Sequence, residues 1–273
     1  MTTVTAGTRT TPQLLQYRSL IWNFAQRDLK ARFKGTAIGW AWSLLLPIAT
    51  LVTYTIVGKY VFRIQPGPLG NGHKGNFAVF LFVGLTAWGF FANGLNTGIG
   101  TLLGNGPLLK KIYFPSYAPV IGSIIGVGIQ SVIEVGLVFV VLAVLGNVGI
   151  TWLLVPFWAA LFFGFVTALS LCLAVANIYF RDLAHLVAVA LQLLFYATPV
   201  LYPDTQFKPG TVGHRILLSN PMSQFVGVFR DLVYGLTPGR WTGWLYMTAA
   251  TAAAIGASVW VFQRFGRDLG EQL

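Results

Sequence analysis

The chain has 273 residues, 55% of them hydrophobic and only 9% charged, with a net charge of +11 and a mean hydropathy of +0.69. A soluble domain carries about a quarter charged residues, so this composition excludes an ordinary water-soluble fold and places most of the chain in hydrocarbon. The cations stand at the ends of apolar runs rather than in a basic patch, which makes anionic lipid headgroups, and not nucleic acid, their expected partners.

The first apolar run begins near Ala37, after a long tail and without a small-residue cleavage site behind it, so no signal peptide is expected. Wound as a helix from about Leu14, that tail puts Asn23, Gln26, Arg27, Lys30 and Lys34 on one face and Tyr17, Leu20, Ile21, Phe24 and Leu29 on the other, the pattern of an interfacial helix. Arg18, Asp28 and Arg32 intrude on the apolar side, where Asp28 and Arg32 are spaced to pair. Gly35 lets the chain turn from lying on the membrane to crossing it, and Trp40 and Trp42 suit the headgroup level. Lys30, Arg32 and Lys34 are placed to hold anionic lipid headgroups.

About 20 apolar residues cross a bilayer as helix, and six segments qualify: 37–62, 77–103, 117–145, 152–178, 186–202 and 244–262. The fold class is therefore an all-α integral membrane protein. Between the first two spans, "GPLGNGHKG" from Gly67 looks like a phosphate loop, but His73 separates Gly72 from Lys74 where the motif needs adjacency, so a flexible connection is expected. Pairs of glycines at Gly94/Gly98, Gly100/Gly104 and Gly122/Gly126 allow close helix approach in the second and third spans. Glu134 is the only acid inside a span; at a cost of about 3 kcal/mol for an ionised group there, it should face water or a partner such as Gln130 or Ser131, in a packing, conformational or substrate role. Cys172, the single cysteine, lies in an apolar run and reads as a small buried hydrophobe. Between the fifth and sixth spans, Pro203, Pro209, Pro221 and Pro238 break a partly apolar stretch whose best helical piece, 222–236, is too short to cross and holds Arg230 and Asp231. Re-entrant helices over 204–240 are expected there.

Six spans put both termini on one side. The positive-inside rule makes it cytoplasmic, because Arg9, Arg18, Arg27, Lys30, Arg32, Lys34, Lys110, Lys111, Arg181, Arg264 and Arg267 outweigh Lys59, Arg63, Lys74, Lys208, Arg215, Arg230 and Arg240. The chain then divides into a cytoplasmic tail with the interfacial helix (1–36), a membrane domain (37–264) and a short tail (265–273). His73, His185 and His214 are scattered without metal-ligand spacing, and Asp182 with His185 finds no nucleophile, so neither a metal nor a catalytic site is expected, and any ATP must be bound by another chain. Tyr54, Phe90, Phe91, Phe195 and Tyr196 fall within or near spans, where flat rings can stack on the C–H faces of sugars and let them slide; with Glu134 they form the candidate substrate path.

The ordered strings "RDLKARFKGTAIGWAWSLLLP", "LLKKIYFP", "NIYFRDL", "TPVLYP" and "NPMSQFVGVFRD" resemble the permease subunit of type-2 ABC exporters of polysaccharides, which move O-antigens, teichoic acids and related lipid-linked glycans. The resemblance implies two permease copies working with two nucleotide-binding subunits that carry ATP and Mg, and a polyprenyl-diphosphate-linked polysaccharide as cargo crossing the bacterial inner membrane. It assigns 105–116 as a helix docking into the ATPase, through Leu108, Lys110, Lys111, Tyr113 and Phe114, with a second contact at Tyr179, Phe180, Arg181 and Asp182. It makes 204–240 an outer gate. One departure is visible: Ser116 and Tyr117 follow Pro115 where the family often has Arg and Glu. The rival readings are a type-2 exporter of a small lipophile or drug, an ion-coupled secondary transporter built on Glu134, and a membrane scaffold without transport.

Overall fold

The computed structural model describes residues 17–33, 42–57, 66–111, 114–208 and 210–266. In chain order the helices are α1 (Arg18–Phe33), α2 (Trp42–Ile56), α3 (Phe77–Gly104), the short α4 (Gly106–Lys111), α5 (Tyr117–Val144), α6 (Val155–Tyr179), α7 (Leu183–Ala197), α8 (Val212–Ser219), α9 (Pro221–Val233) and α10 (Trp241–Phe265). Short 3-10 turns, Ile150–Leu154 and Asp204–Gln206, precede α6 and α8. Four of these helices, α3, α5, α6 with its leading turn, and α10, are long and apolar enough to cross a membrane. The described part of the expected first span, α2, has 15 residues, as does α7, so each reaches about 22 Å against a hydrocarbon core of about 30 Å. The rest of the 37–62 segment lies outside the described residues. The fifth segment begins at Leu183, a little before 186 as its shortness suggests, and stops at Ala197, because Thr198 swings to an extended φ of −102° and ψ of 137° ahead of Pro199, which offers no N–H to continue the helix.

α3 is the hub. It packs against α5, α6, α9, α2 and α7, and its small residues decide how closely they come. A Cβ at Gly94 would lie 2.5 Å from Val166 of α6, and one at Gly98 2.5 Å from Ser170. With the backbones this near, Ser170 Oγ donates to Gly94 O (3.4 Å) and Asn177 Nδ2 to Ile99 O (3.1 Å). Gly100 and Gly104 meet nothing within 4 Å, so of the two glycine pairs on α3 only the first receives a neighbour.

The third pair receives α1. A Cβ at Gly122 would lie 2.6 Å from that of Phe24 and 2.8 Å from Ile21 O, and one at Gly126 3.6 Å from Ala25 O. The apolar face of α1, with Ile21, Phe24, Ala25 and Leu29 all buried, is thus spent on α5, while Asn23, Gln26, Arg27 and Lys30 face outward as the periodicity predicts. Asp28 meets Arg27 at 3.4 Å. The side chain of Arg32, and with it the expected pairing to Asp28, lies outside the described residues, as do Lys34, Gly35, Trp40 and the Trp42 side chain.

At the opposite end lies α9, whose 13 residues are too few to cross a membrane. Asn220 caps it by accepting from Met222 N at 3.0 Å, and Pro221 fills the first helical position, where no N–H is needed. Its 13 residues bury Phe225, Val226, Phe229 and Leu232 against α3, α6 and α10. Phe229 stacks on Trp158 with centroids 4.3 Å apart, Phe225 on Phe162 at 4.7 Å, and Trp158 Nε1 donates to Phe225 O at 3.0 Å. The glycine-rich loop before α3, expected to be flexible, is tied to the end of this helix: Tyr234 hydroxyl donates to Gly67 O (2.9 Å) and accepts from Asn76 N (3.2 Å), Gly70 N donates to Tyr234 O (2.9 Å), and Asn147 accepts from Asn71 N (3.1 Å) while donating to Val233 O and Tyr234 O. A polar, glycine-rich string advertises mobility; its partners lie far along the chain.

Replacing Gly122 by Val is expected to unseat α1 at a cost of about 1–3 kcal/mol, seen as faster tryptic cleavage at Arg27 and Lys30 in detergent, whereas Gly100→Ala should leave the digestion pattern unchanged. Tyr234→Phe removes both hydroxyl bonds and is expected to cost about 1–3 kcal/mol, read as faster amide hydrogen exchange over 66–76 with exchange in α6 unaltered.

Candidate functional site

α7 carries most of its apolar side chains outward, with Leu186, Val189, Leu193 and Tyr196 exposed and only Leu191 and Phe195 buried. Where it leans on α3 beside α2, a cleft of about 320 Å³ opens, lined by Thr50 and Tyr54 of α2, Leu85, Trp88 and Ala92 of α3, and Leu191, Gln192, Phe195 and Tyr196 of α7. Phe195 is the centre of its rings: Trp88 lies 5.3 Å away, Tyr196 5.4 Å and Tyr54 5.8 Å, all tilted or edge-on rather than flat against each other. Of these rings Tyr196 is exposed, while Phe195 at the centre is buried. Three expected path residues, Tyr54, Phe195 and Tyr196, therefore meet here.

Phe90 and Phe91 do not line this cleft. Phe90 packs into the core against Phe162 (5.3 Å) and Phe163 (6.2 Å), and Phe91 stacks on Phe165 at 6.3 Å with an interplanar angle of 11°. Both point to the α6 side of α3, where aromatic partners bury them. Glu134 is also elsewhere, buried between α5 and α3; Gln130 Nε2 donates to its Oε1 at 3.4 Å, and its other oxygen faces Gly89. The sequence reading missed Trp88, although Leu85, Trp88 and Ala92 repeat at one helical face, as do Leu191 and Phe195. A second, larger hollow of about 940 Å³ runs between α10 and the α7–α9 region; its walls include Phe91, Leu194, Met222 and a row of alanines on α10.

The other candidate surface is at the α4 end. Asn105 ends α3, its Nδ2 donating to Thr101 O at 2.8 Å, and its Oδ1 accepts from Arg27 Nη2 of α1 at 2.7 Å. Leu108 of α4 joins the cluster formed by Ile21, Phe24 and Ala118, and Phe114 lies 5.7 Å from the Phe24 ring, over which Arg27 also sits at 4.9 Å. α1 is thus fastened to the segment that leads into α5. Lys110 and Lys111 are exposed in the last turn of α4, where a helix C-terminus favours positive charge. Asn177, one turn from the end of α6, bonds to α3 at Ile99, which brings the α6–α7 connection to the same end of the molecule. There Phe180 is 71% exposed, Arg181 and Asp182 are exposed, and Tyr179 meets Phe265 of α10 at 5.6 Å. Two expected contact segments thus share one face with Lys30. Tyr113 lies outside the described residues. Among the described residues, no group of three or more His, Cys, Asp or Glu side chains gathers as a metal site.

Comparison with known proteins agrees with this layout of apolar helices and polar ends. The chain is similar to the "O-antigen export system permease protein RfbA" of Myxococcus xanthus, 32% identical over 224 residues that make up 81% of this chain and 83% of that protein. A protein of the same description from Klebsiella pneumoniae is 27% identical over 236 residues, 85% of this chain and 87% of its own. The ABC-2 type transporter family matches residues 19–234, from the start of α1 to the end of α9. This chain is a multi-pass membrane protein belonging to the ABC-2 type transporter family.

Proposed function

We propose that the protein is the permease subunit of an ATP-driven exporter that carries a lipid-linked polysaccharide across the bacterial inner membrane. The permease relatives named for O-antigen export support the substrate class, and family membership disfavours both the secondary-transporter and the scaffold readings. Two copies work with two nucleotide-binding subunits, which supply ATP and Mg. In this reading α2 and α7 complete six crossings, both termini are cytoplasmic, and the α4 end faces the ATPase. α8 and α9 form the re-entrant outer gate.

The cleft carries the glycan reading. A sugar presents polar hydroxyls at its rim and C–H groups on its faces, and Trp88, Phe195, Tyr196 and Tyr54 offer rings to those faces with Gln192 and Thr50 beside them. Stacking has no fixed donor–acceptor register, so one residue of a chain can follow another. Lys110, Lys111 and Phe180 supply a cationic, partly aromatic docking face for the ATPase. Lys30, with Arg32 and Lys34 beyond it, attracts the diphosphate or ordinary headgroups at the membrane surface.

The larger apolar hollow favours a second reading, export of a small lipophile. Depletion of the protein separates the two: a lipid-linked polymer should accumulate on the inner leaflet, and its absence would defeat the glycan reading. Complementation with wild type should clear that polymer, while Trp88→Ala combined with Tyr196→Ala should lower export about tenfold, equivalent to about 1.4 kcal/mol, with ATP hydrolysis by the complex retained. Exchanging Lys110 and Lys111 for Glu and Phe180 for Ala is expected to abolish co-purification of the ATPase subunit while membrane insertion continues; an intact complex would refute the docking assignment.

A further inference from the structure

Arg230 lies on α9, and it is 8% exposed. Among the described residues no carboxylate stands within ion-pair distance of it. Its guanidinium is held instead by backbone carbonyls and a ring: Nε donates to Phe80 O at 3.3 Å, Nη1 to Pro199 O and Nη2 to Val200 O, and the carbon of the guanidinium sits 3.7 Å above the Phe80 ring centroid. A planar fork with donors on several edges can meet three carbonyls on two segments at once and still lay a face on an aromatic ring. An ammonium cannot.

Two of these carbonyls, Pro199 O and Val200 O, are orphans of the break after α7, while Phe80 O belongs to the first turn of α3. The helix ends at Ala197, so the last turn and the extended residues beyond it lose their intrahelical donors. Thr198 Oγ1 satisfies Leu194 O (2.7 Å), Tyr202 hydroxyl satisfies Tyr196 O (2.8 Å), and Asn220 Nδ2 reaches Thr198 Oγ1 (2.8 Å) and Ala197 O (3.4 Å). Arg230 takes the two carbonyls that remain farthest out. On the α3 side there is room for its head because residue 84 is glycine: a Cβ there would collide with the guanidinium.

On α3 the bonded carbonyl, Phe80 O, lies about two helical turns before Trp88 and the guanidinium's close approach to Gly84 about one turn before it, while on the α7 side Pro199 lies four residues past Phe195. We propose that Arg230 is the positioning residue of the cleft: by pinning the end of α7 to α3 and α9, it fixes the spacing between Trp88 and the Phe195–Tyr196 pair at which a guest ring is gripped. The inference rests on the cleft reading given above for its consequence, and on the bonding pattern alone for the clasp itself.

The permease–ATPase complex in nanodiscs tests it, with the polymer that accumulates in membranes of permease-depleted cells as the probe. Arg230→Met deletes the clasp; Gly84→Ala displaces the guanidinium without deleting its charge and covers the case in which Arg230→Met fails to assemble. In both, amides of residues 195–201 are expected to exchange at least tenfold faster, and the polymer concentration giving half-maximal stimulation of ATP hydrolysis should rise about tenfold, with basal hydrolysis within twofold of wild type. Arg230→Lys should fall between Arg230→Met and wild type. Unchanged exchange over 195–201 in the assembled variants overturns the clasp. A tenfold shift for Trp88→Ala but none for either clasp variant overturns positioning alone, while no shift for Trp88→Ala or Tyr196→Ala overturns the cleft reading instead. A fall in basal hydrolysis without a shift in the half-maximal concentration marks a merely structural role and also defeats the proposal.

Discussion

A backbone carbonyl freed from a helix inside hydrocarbon has no water to turn to, and it must find a donor within the protein. This protein breaks its helices after Ala197 and Val233, between long apolar helices, and the places where it breaks are where its polar side chains collect. Thr198, Asn220, Tyr202 and Arg230 gather around the end of α7, and Asn147, Thr151 and Tyr234 around the end of α9. The unbroken spans need few such bonds and are held by packing, which in the absence of a hydrophobic drive between helices depends on how closely backbones approach. Gly94 and Gly98 provide that approach for α6, and Gly84 provides it for a side chain.

The division of labour along α3 follows from the same constraint. One face presents Phe90 and Phe91 to the aromatic side chains of α6, filling a core that α9 completes from above with Phe225 and Phe229. The other presents Leu85, Trp88 and Ala92 toward α2 and α7, which are too few and too lightly packed to cover it. The aromatic cleft therefore lies between the closely packed α3 and the more exposed α7. At the α4 end, Arg27 and Phe24 fasten α1 to Asn105 and Phe114, so the exposed α4 surface is joined by direct contacts to α1 and to the segment that leads into α5.

The parts of this arrangement that repeat with a period were legible in the sequence. The amphipathic faces of α1, the four long apolar helices and the break at the proline-rich segment all announce themselves through spacing or through residues with a single backbone preference. The remainder depends on partners distant along the chain. A glycine pair looks the same whether it receives a span or α1, and the string around His73 looks flexible until Tyr234 is brought beside it. Arg230 reads as one more exposed cation, because carbonyl groups leave no trace in a pattern of side chains. Tyr54, Phe195 and Tyr196 were found as aromatics near spans; Phe90 and Phe91 shared that description, and the turn of α3 aims them at α6, although the Phe91 ring still meets Trp88 at 5.6 Å.

The seating of α1 on Gly122 and Gly126 also has a consequence for biogenesis. The helix leaves the ribosome long before its seat exists, and at ordinary rates of synthesis the gap lasts on the order of ten seconds. During that interval its apolar face, with Ile21, Phe24 and Leu29, has only the lipid surface to rest on, which its outward lysine and arginine side chains suit. The cover of this face is therefore supplied by residues about a hundred positions further along the chain, and it exists only once α5 has been made.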